Sequence, residues 1–598
     1  MAFVSQLRYR YAPEAIALFI LTLLFVSLLP LPYFIHSDAP TSLKSSQQFA
    51  QGLTERLGDL WLPDINDLSQ NQSFWMIWFS PGMAFLYYPL LALGLPLGLA
   101  AKITSYLLMM SGCGGWLAVA KKLKLSQVVL ILFALALPFY AVSVSGVWLS
   151  TAEIVVFAIM PWIYQFGLGA MQAWQNPNQS WFQTLKDTTI LGLCLGSSYF
   201  LKYSAIIPAL SFCLYLTIEL LFVNGKHRFQ NHQKLIILGL GFCTLIIIPL
   251  ILSLFNAQNG NTTNYLDASI AVNFSPNHPR GFYLLIGLIS APALYLFQAS
   301  QFWIHLIFFS DGWIPFFRGI AFEQRIIPLT MITFPFGLFL LMLCWRYRHS
   351  FSRPHWLLFI TLGYLPFLPL AYLSQKIGYN YLAFNSRHGV GHALIIELLM
   401  LAIFWEIFKH QQERHQWIFK SVRFVKLTII FLIFYIIPNA FHLMHFAFAN
   451  HLNFPRHYIA NQTQIYNPSL SIENSKIVLE TIDGLKKSQQ DVIILAMHEP
   501  SAFTAWLDVD GRVLPIAFSD EMFRTALQSD ALNLYSDRPF FTSQPLQVIL
   551  VVSKFIEADS DWLTLIKRRF PQAQTWSKHR QPALNGAAVS IYIANLTP

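Results

Sequence analysis

The chain has 598 residues, 55% of them hydrophobic, 16% aromatic and only 11% charged, with a mean hydropathy of +0.48; a water-soluble protein cannot cover that much apolar surface, whereas a bilayer solvates it directly, so this is a multi-pass membrane protein. The net charge of +10 does not point to nucleic acid, because the basic residues stand in short clusters between apolar runs, at Arg8 and Arg10, Lys121 to Lys124, Lys226 to Lys234, Arg346 to Arg353 and Lys409 to Lys426. That is the positive-inside pattern, with membrane lipid headgroups as the partners. Cys113, Cys194, Cys213, Cys243 and Cys344 all fall inside apolar runs without metal-ligand spacing, so neither a disulfide framework nor a zinc site is implied.

The N-terminus has a basic start and an apolar stretch, Ala15 to Ile35, that is long for a signal peptide and lacks a small-x-small cleavage site. It reads as an uncleaved first helix from about Glu14 to Ile35, with its basic end in the cytoplasm. Where it ends, Tyr33-Phe34-Ile35-His36-Ser37-Asp38-Ala39-Pro40 sets an imidazole and a carboxylate two residues apart. Polar groups at a bilayer face are costly unless they line a cavity or reach water, so this stretch is a candidate site; a helix end can also carry such residues simply because water is there. In the first outer loop, Leu43, Phe49, Leu53, Leu57 and Leu60 recur at helical spacing between Lys44, Gln47, Gln51 and Glu55. The spacing predicts a helix over 41–61 lying along the membrane surface, and Trp61, Trp75 and Trp78 suit the interface.

The apolar run Gly82 to Leu97 is broken by Pro89 and Pro96. If it spanned, the Lys121–Lys124 cluster would land outside, so it reads as a juxtamembrane or re-entrant element. Helix two then runs inward from Leu97 to Ala120, and helix three outward from Val128 to Val144. After an outer turn at Ser145 to Ser150 and Thr151-Ala152-Glu153, helix four runs from Ile154 to Ala173. Thr188 to Val223 reads as two short spans, with Gly192 and Gly196 permitting close packing and Lys202-Tyr203 near the outer bend. The basic loop 224–234 is cytoplasmic, and a helix from Leu235 to Phe255 leads to a second outer region, 257–324. Basic loops at both ends require an odd number of crossings between 257 and 346, one or three. Helices at 330–345, 356–374, 389–408 and 427–447 bring the total to about eleven to thirteen spans.

From His451 apolar runs shorten and charges return. Ser471 to Ser488 reads as an amphipathic helix, Asp491 to Met497 and Gln547 to Ser553 as strands, Asp561 to Phe570 as a helix and Ala588 to Ala594 as a last strand. The fold class is therefore a polytopic α-helical membrane protein, residues 1–450, followed by a small α/β domain, 451–598, on the outer face. Asp508, Asp510 and Gly511 look like part of a calcium loop, but the later ligands are missing and a β-turn accounts for them.

By this topology the outer side collects His36, Asp38, Glu153, Lys202, His278, Arg280, Lys376, Arg387 and His388. Two carboxylates with several cations suit acid/base chemistry on an anionic lipid substrate: an ionised carboxylate takes a hydroxyl proton, and Arg or Lys neutralises a phosphate leaving group. Plainer readings stand beside this one. Glu153 also suits a helix N-terminus with Ser150 or Thr151 as cap, Lys202 can snorkel, and Arg387-His388 can anchor a helix end.

The order of parts resembles the GT-C superfamily of membrane glycosyltransferases, which includes the protein O-mannosyltransferases and aminoarabinose transferases. Asp38 matches the acidic residue of the first outer loop, and Ser80-Pro81-Gly82 and Tyr88-Pro89-Leu90-Leu91 resemble the Pro-containing apolar element. Glu153 stands where a second acidic residue opens helix four. Leu191 to Gly196 with Leu201-Lys202-Tyr203-Ser204 is similar to the Gly-rich, Lys-containing pair of short helices, and Ser386-Arg387-His388 to the Arg-containing stretch. The sequence departs from the family with His-Ser-Asp where many members have Asp-Glu, and Ser-Pro-Gly where others have His-Pro-Pro.

The resemblance implies transfer of a sugar from a polyprenyl-phosphate donor to a glycan, lipid or protein acceptor on the outer face of the cytoplasmic membrane, by an inverting displacement; the lack of cysteines in the outer domain fits a bacterium better than an oxidising eukaryotic lumen. Asp38 would be the base, Lys202 and Arg387 would hold the lipid phosphate, and Glu153 and His36 would position the acceptor or a divalent cation; His278, Arg280 and His388 belong to the same substrate-binding set. Two other readings remain open, a lipid or polysaccharide transporter or flippase and a non-catalytic envelope assembly protein.

Overall fold

Apolar helices account for most of the described residues in the computed structural model, and a mixed sheet closes it. The structure describes residues 2–29, 82–144, 153–174, 178–223, 229–258, 326–366, 389–413, 539–558, 562–573, 575–581 and 589–598. It also describes short pieces at 33–34, 43, 46, 60–61, 67–69, 72–73, 176, 288–290, 436–437, 440, 465–466, 480–482, 484–485, 492–496 and 512–515. Five helices among these residues are long and apolar enough to cross a membrane. The expected second outer region apart from 257–258 and 288–290, most of the span expected at 427–447 and most of the expected 41–61 surface helix lie outside the described residues.

Helix α1 (Ala2–Leu28) stops short of the expected Ile35. Pro30 and Pro32 explain the difference: each lacks a backbone donor and turns the residue before it towards extended geometry. The chain then enters β1 (Tyr33–Phe34). A short hairpin pairs β2 (Leu60–Trp61) with β3 (Gln72–Ser73). Helix α2 (Gly82–Ala92) has 11 residues, about 16 Å of helix, half of what a ~30 Å hydrocarbon core requires. Its length agrees with a segment that does not cross.

Helices α3 (Leu97–Lys122), α4 (Gln127–Val144) and α5 (Glu153–Trp174) form the centre of the bundle. α1 and α3 run antiparallel. Lys121 pairs with Glu14 at one end, and at the other the buried Lys102 donates from Nζ to the Leu29 carbonyl over 2.8 Å. α3 and α5 run parallel, with Gly112 against Phe157 and Gly115 against Pro161; Trp162 donates to Ser111 Oγ at 3.0 Å. Helix α6 (Trp181–Leu201) begins seven residues before the expected Thr188. Ser180 caps it by accepting from Gln183 N at 3.1 Å, a signal that works outside the apolar run.

A 3₁₀ turn (Tyr203–Ala205) leads into α7 (Ile206–Ile218), which continues as a π turn (Glu219–Val223). α8 (Asn231–Gln258) lies against α6, and at Gly196 the two backbones approach closely: a Cβ there would stand 2.5 Å from the Leu245 carbonyl oxygen. α9 (Ile326–Arg346), α10 (Arg353–Leu358) with its π continuation (Phe359–Tyr364), and α11 (Ala393–Glu413) complete the described helices of the bundle. The ring N–H at His355 Nε2 donates to the Leu123 carbonyl over 2.8 Å, so the basic stretch 346–353 and the Lys121–Lys124 cluster occupy one end of the bundle, as positive-inside orientation requires.

The C-terminal part holds β4 (Ile465–Tyr466), β5 (Val492–Ala496), β6 (Arg512–Pro515), β7 (Leu546–Ser553), α12 (Lys554–Glu557), α13 (Trp562–Arg569), β8 (Ser577–Lys578) and β9 (Val589–Leu596). The five-stranded sheet has the order β6-β5-β7-β9-β8. β5 is parallel to both β6 and β7, and β9 is antiparallel to β7 and β8. Leu546, Val548 and Leu550 pack on Trp562, Ile566 and Phe570, and Ile549 and Val551 between them are buried as well, as the continuous apolar run of β7 requires. The Asp508–Gly511 turn lies outside the described residues. Glu557 joins α12 to the sheet through Lys578, Ser590 and Tyr592. Burial raises its pKa, but the bonds from Lys578, Tyr592 and Ser590 and the lysine charge outweigh that and hold the carboxyl below the usual range.

The segment between α1 and α2 and the C-terminal part meet repeatedly. β1 pairs in parallel with β4, Tyr33 opposite Ile465 and Phe34 opposite Tyr466. β2 lies against β6, and Asp67 forms a parallel bridge with Phe541.

Candidate functional site

Of the sequence-derived site residues, Glu153 and Lys202 are described, and the fold brings them together. Lys202 Nζ stands 3.4 Å from Glu153 Oε1, with the glutamate side chain 1% and the lysine side chain 13% exposed. His36, Asp38, His278, Arg280, Arg387 and His388 lie outside the described residues.

Each partner is set by a helix end. Glu153 is the first residue of α5, where the partial positive charge of unpaired backbone N–H groups favours a carboxylate. Lys202 follows the last residue of α6 in extended geometry (φ −155°, ψ 121°). Its N–H still donates to the Ser198 carbonyl, and its own carbonyl accepts from Ala205 N at 2.9 Å. The helix breaks at Lys202 and resumes as α7 after the 3₁₀ turn, so the lysine stands at a corner. Both residues sit at the end opposite the basic clusters, because α3 and α5 run parallel and α1 runs against them. Burying two charges costs several kcal/mol per ion in an apolar interior, and it is their mutual attraction that offsets this.

Two glycines bring further chain to the corner. Gly82, the first residue of α2, lies so close to the end of α6 that a Cβ would stand 2.8 Å from the Phe200 carbonyl oxygen. Backbone cannot yield as a side chain can, so the last residue of the Ser80-Pro81-Gly82 motif must be glycine to lie against Phe200 and Leu201 at the end of α6. The rings of Phe85 and Phe200 extend the contact, centroids 5.9 Å apart. Gly391 fits between α5 and α7, where a Cβ would meet Pro208 Cγ at 2.9 Å and Val156 Cγ1 at 3.0 Å. Tyr164 holds this turn by donating to the Gly391 carbonyl at 2.6 Å. The turn that opens α11, three residues after His388 in sequence, is thus packed one helical turn from Glu153.

Several polar residues escaped the sequence reading. Lys102, 6% exposed, stands in the second turn of α3; a lone lysine in an otherwise apolar run was the available signal. His392 and Glu397 are buried at the start of α11, and Glu219 where α7 ends. They carry the same signal, masked by apolar neighbours. Asp67, 1% exposed, had no signal in a loop rich in polar residues. Among the described residues, no group of three His, Cys, Asp or Glu side chains is arranged to hold a metal ion.

No family model matches this chain, and no curated protein matches it. Among solved structures it is similar to ArnT from Cupriavidus metallidurans bound to undecaprenyl phosphate, at 12% identity over 98% of both chains with a TM-score of 0.39. It is also similar to the apo state of that protein, at 11% identity over 97% of both chains with a TM-score of 0.39.

Proposed function

We propose that the protein is a GT-C-type glycosyltransferase that moves a sugar from a polyprenyl-phosphate carrier to an acceptor hydroxyl at the outer face of the membrane. The observation that carries this reading is the buried Glu153–Lys202 pair, supplied by two helix ends at the bundle face opposite the basic clusters. A lysine at a broken helix corner can exchange its carboxylate partner for a phosphate, and the carboxylate it leaves can accept from a hydroxyl.

In the proposed reaction the acceptor oxygen attacks the anomeric carbon from the face opposite the leaving group. The bond from that carbon to the phosphate oxygen breaks, and its electron pair leaves with the polyprenyl phosphate. Asp38 takes the acceptor proton, Lys202 and Arg387 neutralise the departing phosphate, and Glu153 and His36 orient the acceptor. His278, Arg280 and His388 complete the proposed substrate-binding set. The 41–61 segment and the 257–324 region wall the cavity against water.

A second reading, translocation of a lipid-linked substrate, draws on Glu219, His392 and Glu397, which are buried within the membrane part; ionisable groups at membrane depth commonly mark substrate paths. Mass spectrometry of surface glycans and glycolipids separates the two. A null strain is complemented with wild type or Asp38→Asn at equal membrane abundance. The transferase reading expects wild type to restore a sugar and Asp38→Asn to lower transfer by about 10²–10⁴-fold, the usual contribution of a general base. Full restoration by Asp38→Asn removes the assigned base. A finished glycan trapped on the cytoplasmic side of the null strain favours translocation.

A further inference from the structure

α6 and α8 run parallel, since Gly241 lies against Thr188, Thr244 against Gly192 and Leu245 against Gly196. The rings of Trp181, which opens α6, and Phe229, just before α8, meet with centroids 6.1 Å apart. The start of α8 therefore stands at the end of the bundle opposite Lys202. Between α6, α7 and α8 lies an apolar cavity of about 110 Å³, lined by Thr188 and Leu195 of α6, Leu210 and Cys213 of α7, and Ile237 and Leu245 of α8. Leu210 and Phe242 border it and are 48% and 61% exposed on the outside of the bundle, so it opens sideways, towards hydrocarbon. Its α6 wall ends at Leu195, seven residues before Lys202, or about 10 Å of helix.

The α8 face that lines the cavity carries a cation one turn earlier. Lys234, Ile237, Leu238, Gly241 and Leu245 follow the spacing of a single helix face, and the last four line the cavity. Lys234 is only 7% exposed. Among the described residues its side chain takes part in no ion pair and no hydrogen bond, and Asp187 of α6 is engaged instead by Gln179 and Gln183. A buried ammonium is costly without an anion beside it, and an apolar cavity of this size holds hydrocarbon rather than water. An anionic headgroup carried on an acyl chain meets both demands.

We propose that α6, α7 and α8 form a binding site for an anionic phospholipid of the cytoplasmic leaflet, with its phosphate at Lys234 and one acyl chain in the cavity. The chain fills the space between α7 and α8 and joins both to α6. The site is independent of the transferase reading, because Lys234 and Lys202 lie at opposite ends of the parallel α6–α8 pair.

The test uses the full-length protein in phosphatidylcholine vesicles holding a trace of phosphatidylglycerol with a diazirine in one acyl chain. After illumination, peptide mass spectrometry should place adducts on the cavity-lining stretches 188–195, 210–217 and 237–245. Adducts spread evenly over the lipid-facing helices overturn the site. Yield on α1, whose Phe19 is exposed, serves as the internal reference for insertion. Against that reference, Lys234→Gln should lower the cavity adducts by about five-fold, the effect of one lysine on an anionic lipid, and Lys234→Arg should restore them. An unchanged yield in Lys234→Gln overturns the proposal. Unlabelled phosphatidylglycerol should compete and inorganic phosphate should not. Competition by inorganic phosphate assigns Lys234 to a free anion, and displacement by a polyprenyl phosphate but not by phosphatidylglycerol assigns the cavity to a polyprenyl tail; either result overturns the proposal. No arm reads sugar transfer, so failure of the transferase reading leaves this test intact.

Discussion

Glu153 and Lys202 are far apart in sequence and ordinary as single residues; their pairing at 3.4 Å in an almost dry environment is what makes them a candidate site. Lys202→Met strips the lysine charge from a buried glutamate and should destabilise the protein by about 3–5 kcal/mol, whereas Glu153→Gln/Lys202→Met, which removes both charges, should recover most of that loss. Thermal unfolding of detergent-purified protein measures both. The double variant also separates structure from chemistry: folded but inactive, it assigns the pair to the substrate; folded and fully active, it reduces the pair to a helix-end brace. Glu153 and Lys202 were legible because lone charges at the borders of apolar runs stand out. Their mutual contact was not, because nothing local in either segment refers to the other.

At the scale of elements, apolar runs located the helices well and their ends poorly. α1 stops at Leu28 because of Pro30 and Pro32, and α6 starts at Trp181 because of a serine cap. Ends are set by backbone donors and acceptors, and an average over apolar side chains does not sense these. Glycine spacing was read correctly as close packing: Gly192 and Gly196 do face α8. Gly196→Val would drive a branched side chain into the Leu245 backbone and should cost about 1–3 kcal/mol by overpacking. A lowered unfolding midpoint would record it, and an unchanged midpoint would mean that α6 and α8 can separate freely.

At the scale of the whole molecule, the basic clusters around Lys121 and Arg348 share one end of the bundle, and the C-terminal domain attaches at the other through β1 and the Asp67–Ser543 contact. Membrane-impermeant maleimide on intact cells should therefore label Arg580→Cys and spare His349→Cys, both exposed positions, until the membrane is opened. The reverse pattern would invert the protein and place the Glu153–Lys202 corner on the cytoplasmic side. The C-terminal domain itself was foreseeable as α/β, since β5, β7, β9 and α13 fall on the segments whose periodicity announced them. Its docking was not, because Tyr33 with Ile465 and Asp67 with Ser543 are contacts between distant parts of the chain.

Composition and periodicity alone determined that the chain lives in a bilayer, where most of its helices run, which ends carry the basic charge and that a small α/β part follows, because each of these is a property of neighbouring residues and their solvent. Only the tertiary structure decided which helix ends converge, that a lysine at a broken helix meets the buried glutamate, and that the first outer loop is clamped to the C-terminal domain. Those depend on burial and on hydrogen bonds between distant residues, and such bonds acquire their strength only once the fold has excluded water around them.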